Sequence, residues 1–180
     1  MTTPIEHFYH RAEQSPNAIA VAGPGEPFTY RRLLATVHAL AAALQSLDPE
    51  PGSRVGICAR NTVEHLIALL ATYSAGKVWV PLAPNNSRTD LDRMIGTTRP
   101  TLFVADESCL DRFTPTGAPL VLGKTTIPPG EMPSVRTLIG EWNGRHPTVI
   151  ARDERDAQII KFSGGSTGAP KPVVQSLRCV

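Results

Sequence analysis

The chain has 180 residues, of which 41% are apolar, so it is long enough to enclose one hydrophobic core. Its 18 basic and 16 acidic residues are interspersed and leave a net charge of +2, which argues against an extended basic surface and a nucleic-acid partner. The three cysteines are widely separated in sequence. They predict neither a disulfide framework nor a zinc site, and we assign no residue as a metal ligand.

We expect a soluble, cytoplasmic protein without a membrane span. Residues 1–7 lack the basic region and apolar core of a signal peptide. The most apolar stretch, 66–83, is interrupted by Lys77 and Pro81, which favours a buried helix followed by a strand.

The N-terminal segment predicts a short helix over residues 5–14, because its apolar residues recur at helical spacing. His7 and His10 lie on this helix. A metal site would need further ligands nearby, and none is evident, so we interpret both histidines as surface side chains.

Two short strands and a long helix are predicted next. Strand-like runs at 18–22 and 27–30 flank a Gly-Pro-Gly turn. Thr29 is placed to cap a helix that stops near residue 47 and repeats leucine, valine and alanine every three or four positions. We expect His38, within that helix, to be solvated.

A strand, a helix and a strand then follow within thirty residues, which predicts a parallel crossover unit. The strands span 54–59 and 78–82, and Asn61 is placed to cap the helix at 62–74. The expected packing face of that helix consists of Val63, Leu66, Ile67, Leu70 and Tyr73.

Ser87 or Thr89 is placed to cap a further helix that runs to about residue 97, and a strand is predicted at 101–105. The apolar residues expected to face inward from this helix are Leu91, Met94 and Ile95. We interpret Asp106 and Glu107, directly after the strand, as a surface pair and not as a general acid and base.

The next region has weaker patterns. A short strand is predicted at 120–122, one or two helical turns at 135–142, and a solvated, charged approach at 152–156. Alternating strands and helices along the chain indicate an α/β fold with parallel or mixed sheet layers and flanking helices.

The strand-like run 157–162 leads into a loop that is rich in glycine and hydroxyl residues and ends at Lys171. Glycines let backbone amides turn toward an anion, hydroxyls add donors, and the lysine adds a positive charge. The loop therefore predicts phosphate binding. The candidate residues are Ser163, Gly164, Gly165, Ser166, Thr167, Gly168 and Lys171.

Common alternatives fit this loop poorly. The pattern GxxxxGK[ST] fails because Ala169 and Pro170 separate Gly168 from the lysine, and GxGxxG fails because Gly164 and Gly165 are adjacent. No GxSxG elbow surrounds the serines, which disfavours a hydrolase. A plain Gly/Ser surface turn is the remaining alternative.

The loop resembles the phosphate-loop signature of the adenylate-forming enzymes, [YF]-T-S-G-[ST]-T-G-x-P-K-G, found in acyl-CoA synthetases, aryl-acid ligases, peptide-synthetase adenylation domains and luciferases. Ser163 stands where threonine is common, and Pro172 replaces the glycine after the lysine. Gly164 in place of serine is similar to the form found among ligases of aryl acids. The matching residues are Phe162, Gly165, Ser166, Thr167, Gly168, Pro170 and Lys171.

The segment 75–84, together with the end of the preceding helix, resembles another signature of this family, L-A-x-x-x-A-G-A-x-x-x-P-L-x-P, with Lys77 in place of a common alanine. The matching residues are Leu70, Ala71, Ala75, Gly76, Pro81, Leu82 and Pro84. Thr29 and Tyr30 also resemble the family's opening motif. Trp79, inside the second signature, is interpreted as a core or domain-contact residue, with a stacking platform for a substrate as the alternative.

The resemblance implies that residues 1–180 are the incomplete N-terminal part of the large domain of an acyl-CoA synthetase-like fold. Within it we expect an α/β layer at 1–123, an irregular connection at 124–156, and the strand, phosphate loop and following strand at 157–180.

The resemblance also implies an ATP-dependent, AMP-forming acid–thiol ligase, most simply an acyl-CoA synthetase. A carboxylic acid attacks the α-phosphate of ATP to give an acyl-adenylate, and CoA or a carrier-protein thiol then accepts the acyl group. Residues 163–168 and Lys171 would hold the ATP phosphates with Mg²⁺, and Lys171 is the candidate catalytic residue. The alternative is a non-catalytic nucleotide- or anion-binding module, or a structural one.

The family's adenine, ribose and hinge motifs and most of its acid pocket are expected beyond residue 180. We therefore expect the isolated chain to be inactive and to self-associate through surface that the missing part would cover.

Overall fold

The computed structural model of the protein describes residues 3–23, 26–112, 118–122, 133–163 and 171–179. The helices are α1 (Pro4–Gln14), α2 (Tyr30–Leu47), α3 (Val63–Ser74), α4 (Arg88–Thr98) and α5 (Val135–Glu141). The strands are β1 (Ile19–Val21), β2 (Phe28–Thr29), β3 (Arg54–Cys58), β4 (Val78–Pro81), β5 (Leu102–Asp106), β6 (Ala118–Leu122), β7 (Ala157–Ser163) and β8 (Lys171–Ser176). Short 3₁₀ turns cover Glu107–Arg112 and Leu177–Cys179.

A six-stranded sheet in the order β6-β5-β3-β4-β7-β8 organises the chain. Its first five strands are parallel, and β8 pairs antiparallel with β7. The crossover from β3 through α3 to β4 is the parallel unit that the sequence predicts. The α/β prediction, with a mixed sheet and flanking helices, is confirmed.

Both faces of the sheet are covered because inward-facing residues alternate along each buried strand. Val55 and Ile57 of β3 pack in a core with α2, α3 and α5, whereas Cys58 packs on the opposite face with α4. β5 alternates in the same way, with Val104 on the first face and Phe103 on the second. The predicted inward residues of α4, namely Leu91, Met94 and Ile95, are buried.

The caps are partly as predicted. The hydroxyls of Thr29 and Ser87 cap α2 and α4. Asn61, however, does not cap α3. Thr62 has the extended backbone of a cap residue, and its hydroxyl accepts a hydrogen bond from the backbone N–H of His65 at 3.3 Å.

The buried face of α3 is rotated about the helix axis relative to the packing face that the sequence predicted. Ile67, Ala68, Ala71 and Thr72 are buried, whereas Leu66 is 36% exposed. Small residues on the buried face let α3 approach the alanine-rich α2 closely, and the Thr72 hydroxyl is satisfied by the carbonyl oxygen of Ala68.

The segment predicted to be an irregular connection contains a helix. α5 lies within segment 124–156, and its residues Val135 and Leu138 are part of the core shared with α2 and α3. Among the described residues, none of the helices combines the length and apolar character needed to cross a bilayer.

Candidate functional site

The hairpin of β7 and β8 carries the two ends of the predicted phosphate loop. Ser163 ends β7, Lys171 begins β8, and the two residues are partners across the hairpin. The Ser163 hydroxyl donates a hydrogen bond to the Lys171 carbonyl oxygen, with 3.4 Å between the oxygens. Both residues are exposed, so the lysine charge stands in solvent where the loop ends.

The other predicted phosphate-binding residues lie outside the described part of the chain. Their role stays a prediction from the sequence. They are Gly164, Gly165, Ser166, Thr167 and Gly168.

The end of this hairpin that carries the loop lies at the edge of the sheet where the parallel strands end. β7 runs parallel to β4, and β4 and β5 lie on opposite sides of β3, so the strand order changes direction at β3. In open α/β sheets, ligands bind outside the carboxyl ends of the strands near such a point. The fold therefore puts Ser163 and Lys171 at the edge where a ligand is expected.

A carboxylate organises the loop after β3 at this edge. The Asp106 carboxylate accepts a hydrogen bond from the backbone N–H of Arg60 at 2.7 Å and lies 3.7 Å from the Arg60 guanidinium. The Asp106 side chain is only 13% exposed, so the surface-pair interpretation was wrong for this residue, whereas Glu107 is exposed. Asp106 fixes the start of the β3–α3 connection instead of facing solvent.

A groove of about 560 Å³ lies beside Ser163 at the same edge. Its apolar lining includes Ile57, Leu82 and Phe162, and its polar lining includes His65 and Lys161. These residues come from β3, β4, α3 and β7 or follow them directly. The long sequence separations explain why residue patterns alone did not predict the groove.

Trp79 of β4 forms part of the wall of this groove. Trp79 is partly buried and packs against the core of α2 and α3, as the core interpretation expected. It also lines the groove, as the alternative of a stacking platform for a substrate required. Its indole nitrogen is buried and has no hydrogen-bond partner among the described residues.

Arg152 joins the starting ends of β4 and β7 behind the site. Its guanidinium donates to the carbonyl oxygens of Gly76 and Ala157 and pairs with the Asp156 carboxylate at 3.1 Å. Only 16% of the Arg152 side chain is exposed, so the prediction that this segment is solvated was wrong for this residue. The cause is the set of carbonyl acceptors that the neighbouring strands provide.

A second cavity, of about 670 Å³, lies at the opposite edge of the sheet and is lined by Tyr9, His38, His146 and Gln158 among others. The Nδ1 atoms of His38 and His146 are 3.0 Å apart. Burial, followed by the nearby His146, lowers the pKa of His38. His38 is thus half-buried and paired, contrary to the expectation that it is solvated.

The two cysteines in the core are not accessible as nucleophiles. Cys58 and Cys109 are buried free thiols, and burial together with Cys109 raises the pKa of Cys58 to about 12. The protonated thiol is a poor nucleophile. Within the described ranges, no three His, Cys, Asp or Glu side chains are arranged to share a metal ion.

The chain belongs to the family of AMP-binding enzymes, whose pattern it matches over residues 8–180. It is 30% identical over 167 residues to malpinin synthetase from Mortierella alpina and 31% identical over 180 residues to chondramide synthase cmdD from Chondromyces crocatus. These matches cover 93% and 96% of this chain but only 2% and 4% of the two relatives.

A solved structure shows the same fold. The N-terminal subdomain of NpsA from Klebsiella oxytoca, in complex with 3-hydroxybenzoyl-AMSN, superposes with a TM-score of 0.78 and 26% identity. The superposition covers 99% of this chain and 42% of that one. The recognised family is therefore confirmed, and the chain corresponds to part of the N-terminal subdomain of an acyl-CoA synthetase-like fold.

Proposed function

We propose that this chain contributes the phosphate loop of an ATP-dependent, AMP-forming acid–thiol ligase. The observation that carries the proposal is the pairing of Ser163 with Lys171 at the carboxyl edge of the sheet. Membership of the AMP-binding family supports ATP as the nucleotide.

In the proposed reaction, a carboxylate oxygen attacks the α-phosphorus of ATP, the bond to the β-phosphate oxygen breaks, and pyrophosphate leaves. Lys171 and the loop hydroxyls hold the β- and γ-phosphates and stabilise the charge that develops on pyrophosphate. When bound, Mg²⁺ supplies further positive charge to the same leaving group. A thiol then attacks the acyl carbonyl carbon and releases AMP.

The described ends of the loop fit a triphosphate. The exposed Lys171 supplies a mobile cation where the loop ends, and the Ser163 hydroxyl, by donating to the Lys171 carbonyl oxygen, ties the two ends of the loop together. Lys171 takes part in none of the ion pairs among the described residues, so no acidic side chain there neutralises its charge.

The acid and the thiol are finer proposals. The aryl-type Gly164 and the likeness to NpsA, which was solved with 3-hydroxybenzoyl-AMSN, support an aryl acid over a fatty acid. Of the two acceptors that the resemblance implies, CoA and a carrier-protein thiol, the peptide-type synthetases among the relatives, such as phosphinothricin tripeptide synthetase PhsC, support the carrier-protein thiol.

ATP–pyrophosphate exchange over a panel of aryl and aliphatic acids tests the proposal. The assay compares the 180-residue chain with the longest native protein that contains it. We expect exchange from the longer protein and none from the short chain, because the chain spans 42% of the NpsA chain it superposes on.

Three substitutions in the longer protein sharpen the test. Lys171→Met should lower exchange about 10²- to 10³-fold, and Lys171→Arg should retain more of it, because the lost interaction is electrostatic. Arg155→Met, which removes an exposed cation outside the site, should leave exchange unchanged. If the active protein tolerates Lys171→Met as well as Arg155→Met, the assigned role of the lysine is wrong; if no acid supports exchange, a non-catalytic binding role replaces the proposal.

Self-association stays a prediction, and the edge strand β8 supports it. Val173 and Val174 are 46% and 61% exposed there. An unpaired strand edge with apolar side chains favours pairing with another chain, although Lys171 and Pro172 disfavour it. Sedimentation of the 180-residue chain over a range of concentrations should show oligomers, and Val174→Lys should reduce them.

A further inference from the structure

His38 and His146 form a pair of imidazole rings at the edge of the sheet opposite the phosphate loop. Their Nδ1 atoms are 3.0 Å apart, and their ring centroids are 4.9 Å apart with the ring planes at 62°. The two residues are 108 positions apart in sequence, so the fold brings them together. In a neutral histidine, one ring nitrogen carries a hydrogen and the other has a free lone pair. The pair therefore offers two neighbouring nitrogens that can share either one proton or one metal ion.

The separation of the two nitrogens matches the spacing that a single metal ion imposes. Histidine nitrogens lie about 2.0–2.1 Å from Zn²⁺. Two such ligands are therefore about 3.3 Å apart at a tetrahedral angle and about 2.9 Å apart at a right angle. The observed distance of 3.0 Å lies between these values. A metal ion can thus replace the shared proton after a rotation of the rings, and that proton moves to the Nε2 atom of the same imidazole.

Both rings are held in position by the fold. His38 is half-buried on α2, where the ring of Tyr9 packs edge-on against it with 5.5 Å between the centroids. His146 lies two residues before Thr148, whose backbone N–H and carbonyl oxygen both bond to the side-chain amide of Gln45, at 2.8 Å each. Gln45 lies two turns after His38 on α2. Ligands that are already fixed reduce the ordering cost of binding.

The cavity beside the pair has room for further ligands and favours a cation. Both histidines line this cavity of about 670 Å³. Within the described part of the chain, no third His, Cys, Asp or Glu joins them, so water is expected to complete the coordination. Glu6 and Glu13 line the same cavity and add negative charge. Lys77 and Arg152 also line it, but each lies beside an aspartate that offsets its charge.

The type of ligand selects the class of metal. Imidazole nitrogens suit Zn²⁺, Cu²⁺ and Ni²⁺, whereas Mg²⁺ prefers oxygen ligands. Burial, followed by the nearby His146, lowers the pKa of His38, which leaves its lone pair free of a second proton at neutral pH. The Mg²⁺ of the proposed ATP reaction is therefore not the ion expected here.

We propose that His38 and His146 together bind one divalent transition-metal ion, such as Zn²⁺, through their Nδ1 atoms, with water as the remaining ligands. The pair lies at the opposite edge of the sheet from Ser163 and Lys171, so this site is separate from the proposed phosphate site. The ion links α2 to the segment that leads through Arg152 into β7. Because it binds the folded chain, it stabilises the fold as its concentration rises.

The binding test uses the 180-residue chain, with ZnCl₂ as the probe after metal has been removed by EDTA and dialysis. Calorimetry should show one Zn²⁺ per chain, and Mg²⁺ should not compete. Nitrogen-15 NMR of the imidazole rings should show that two of the five histidines, His38 and His146, respond at Nδ1. Zn²⁺ at about ten times its dissociation constant should raise the melting temperature by about 3–6 °C.

Two substitutions and a matched control locate the site. His146→Gln changes an exposed residue and His38→Gln a half-buried one. Each should weaken Zn²⁺ binding about tenfold or more and remove the rise in melting temperature, since even the hydrogen-bond partners of metal ligands contribute that much affinity. His10→Gln removes an exposed histidine that lies three residues after His7 on α1, and it should change neither result. Circular dichroism checks that each variant is folded; if His38→Gln unfolds, His146→Gln and the NMR spectrum decide.

Three results would overturn the proposal. The first is the absence of saturable Zn²⁺ binding, which would leave the pair as a plain hydrogen bond. The second is binding by His146→Gln that is as tight as that of the wild type. The third is loss of binding in His10→Gln, which would assign the ion to α1. None of these measurements involves ATP, a carboxylic acid or pyrophosphate exchange, so their outcome is independent of the proposed function.

Discussion

The Nζ atom of Lys77 lies 2.6 Å from the carbonyl oxygen of Asp48, and only 2% of the lysine is exposed. The same ammonium group donates to the Glu50 carbonyl oxygen at 3.2 Å and to Ser53 Oγ at 2.7 Å, and the Asp48 carboxylate lies 3.8 Å away. Burial lowers the pKa of Lys77, while Asp48 and Glu50 oppose that shift. The lysine that replaces the family's alanine thus ties the loop before β3 to the start of β4.

Replacing this lysine should destabilise the fold. Lys77→Met keeps the length of the side chain but leaves two carbonyl oxygens without this donor and the Asp48 carboxylate without its cationic partner, so we expect a loss of about 2–4 kcal/mol in the free energy of unfolding. Urea unfolding followed by circular dichroism measures it. Lys161→Met, the same change at an exposed position, should cost little; equal losses in the two variants would show that the buried contacts contribute nothing.

Gly76 should not tolerate a side chain. Its φ is +70°, and an added Cβ would lie 2.8 Å from the Cβ of Ile150 and 2.9 Å from its Cγ1. Gly76→Ala combines backbone strain with overlap, and we expect it to cost about 2–4 kcal/mol. Gly96, within α4, has nothing within 4 Å of an added Cβ. Gly96→Ala should therefore stabilise the protein by about 0.5–1 kcal/mol. Thermal unfolding measures the melting temperature of both variants, and a shift in the same direction for both would contradict this contrast.

The histidine pair should make stability depend on pH. Because the pKa of His38 is lowered in the folded state, the unfolded chain binds more protons just below the ordinary histidine pKa of about 6.5. Stability is therefore fully present above that value and is lost as the pH falls, when His38 is protonated beside His146 and against the ring of Tyr9.

Urea unfolding at a series of pH values from about 8 to about 5 tests this dependence. His38→Gln should flatten the slope, and His10→Gln, at an exposed position on α1, should not. A slope that is identical in the wild type and in His38→Gln would show that other groups cause the pH dependence.

The three cysteines should differ in reactivity. Cys179 is exposed, whereas Cys58 and Cys109 are buried, and the pKa of Cys58 is raised to about 12. Under native conditions at neutral pH, iodoacetamide should modify Cys179 alone, and in urea it should modify all three. Intact-mass spectrometry counts the adducts, and peptide mapping assigns them. Rapid native modification of Cys58 would mean that the strand end opens readily.

Much of the order of helices and strands follows from local patterns in the sequence. Caps such as Thr29 and Ser87, the helical repeat of leucines in α2 and the β-branched run of β7 act over a few residues, so their patterns are visible in a linear chain. The signature that ends at Lys171 is likewise local, and it predicted the family that the comparisons confirmed.

The burial of polar side chains, and their contacts, depend on how distant segments pack in the folded chain. Lys77, His38 and Arg152 are of residue types that are usually at least partly solvated, yet each is held by a partner that lies 29, 108 or 76 residues away in sequence. The groove at Trp79 arises in the same way, from strand ends and helices that the sheet brings together. Burial and hydrogen-bond satisfaction depend on packing between distant segments, so local periodicity cannot predict them.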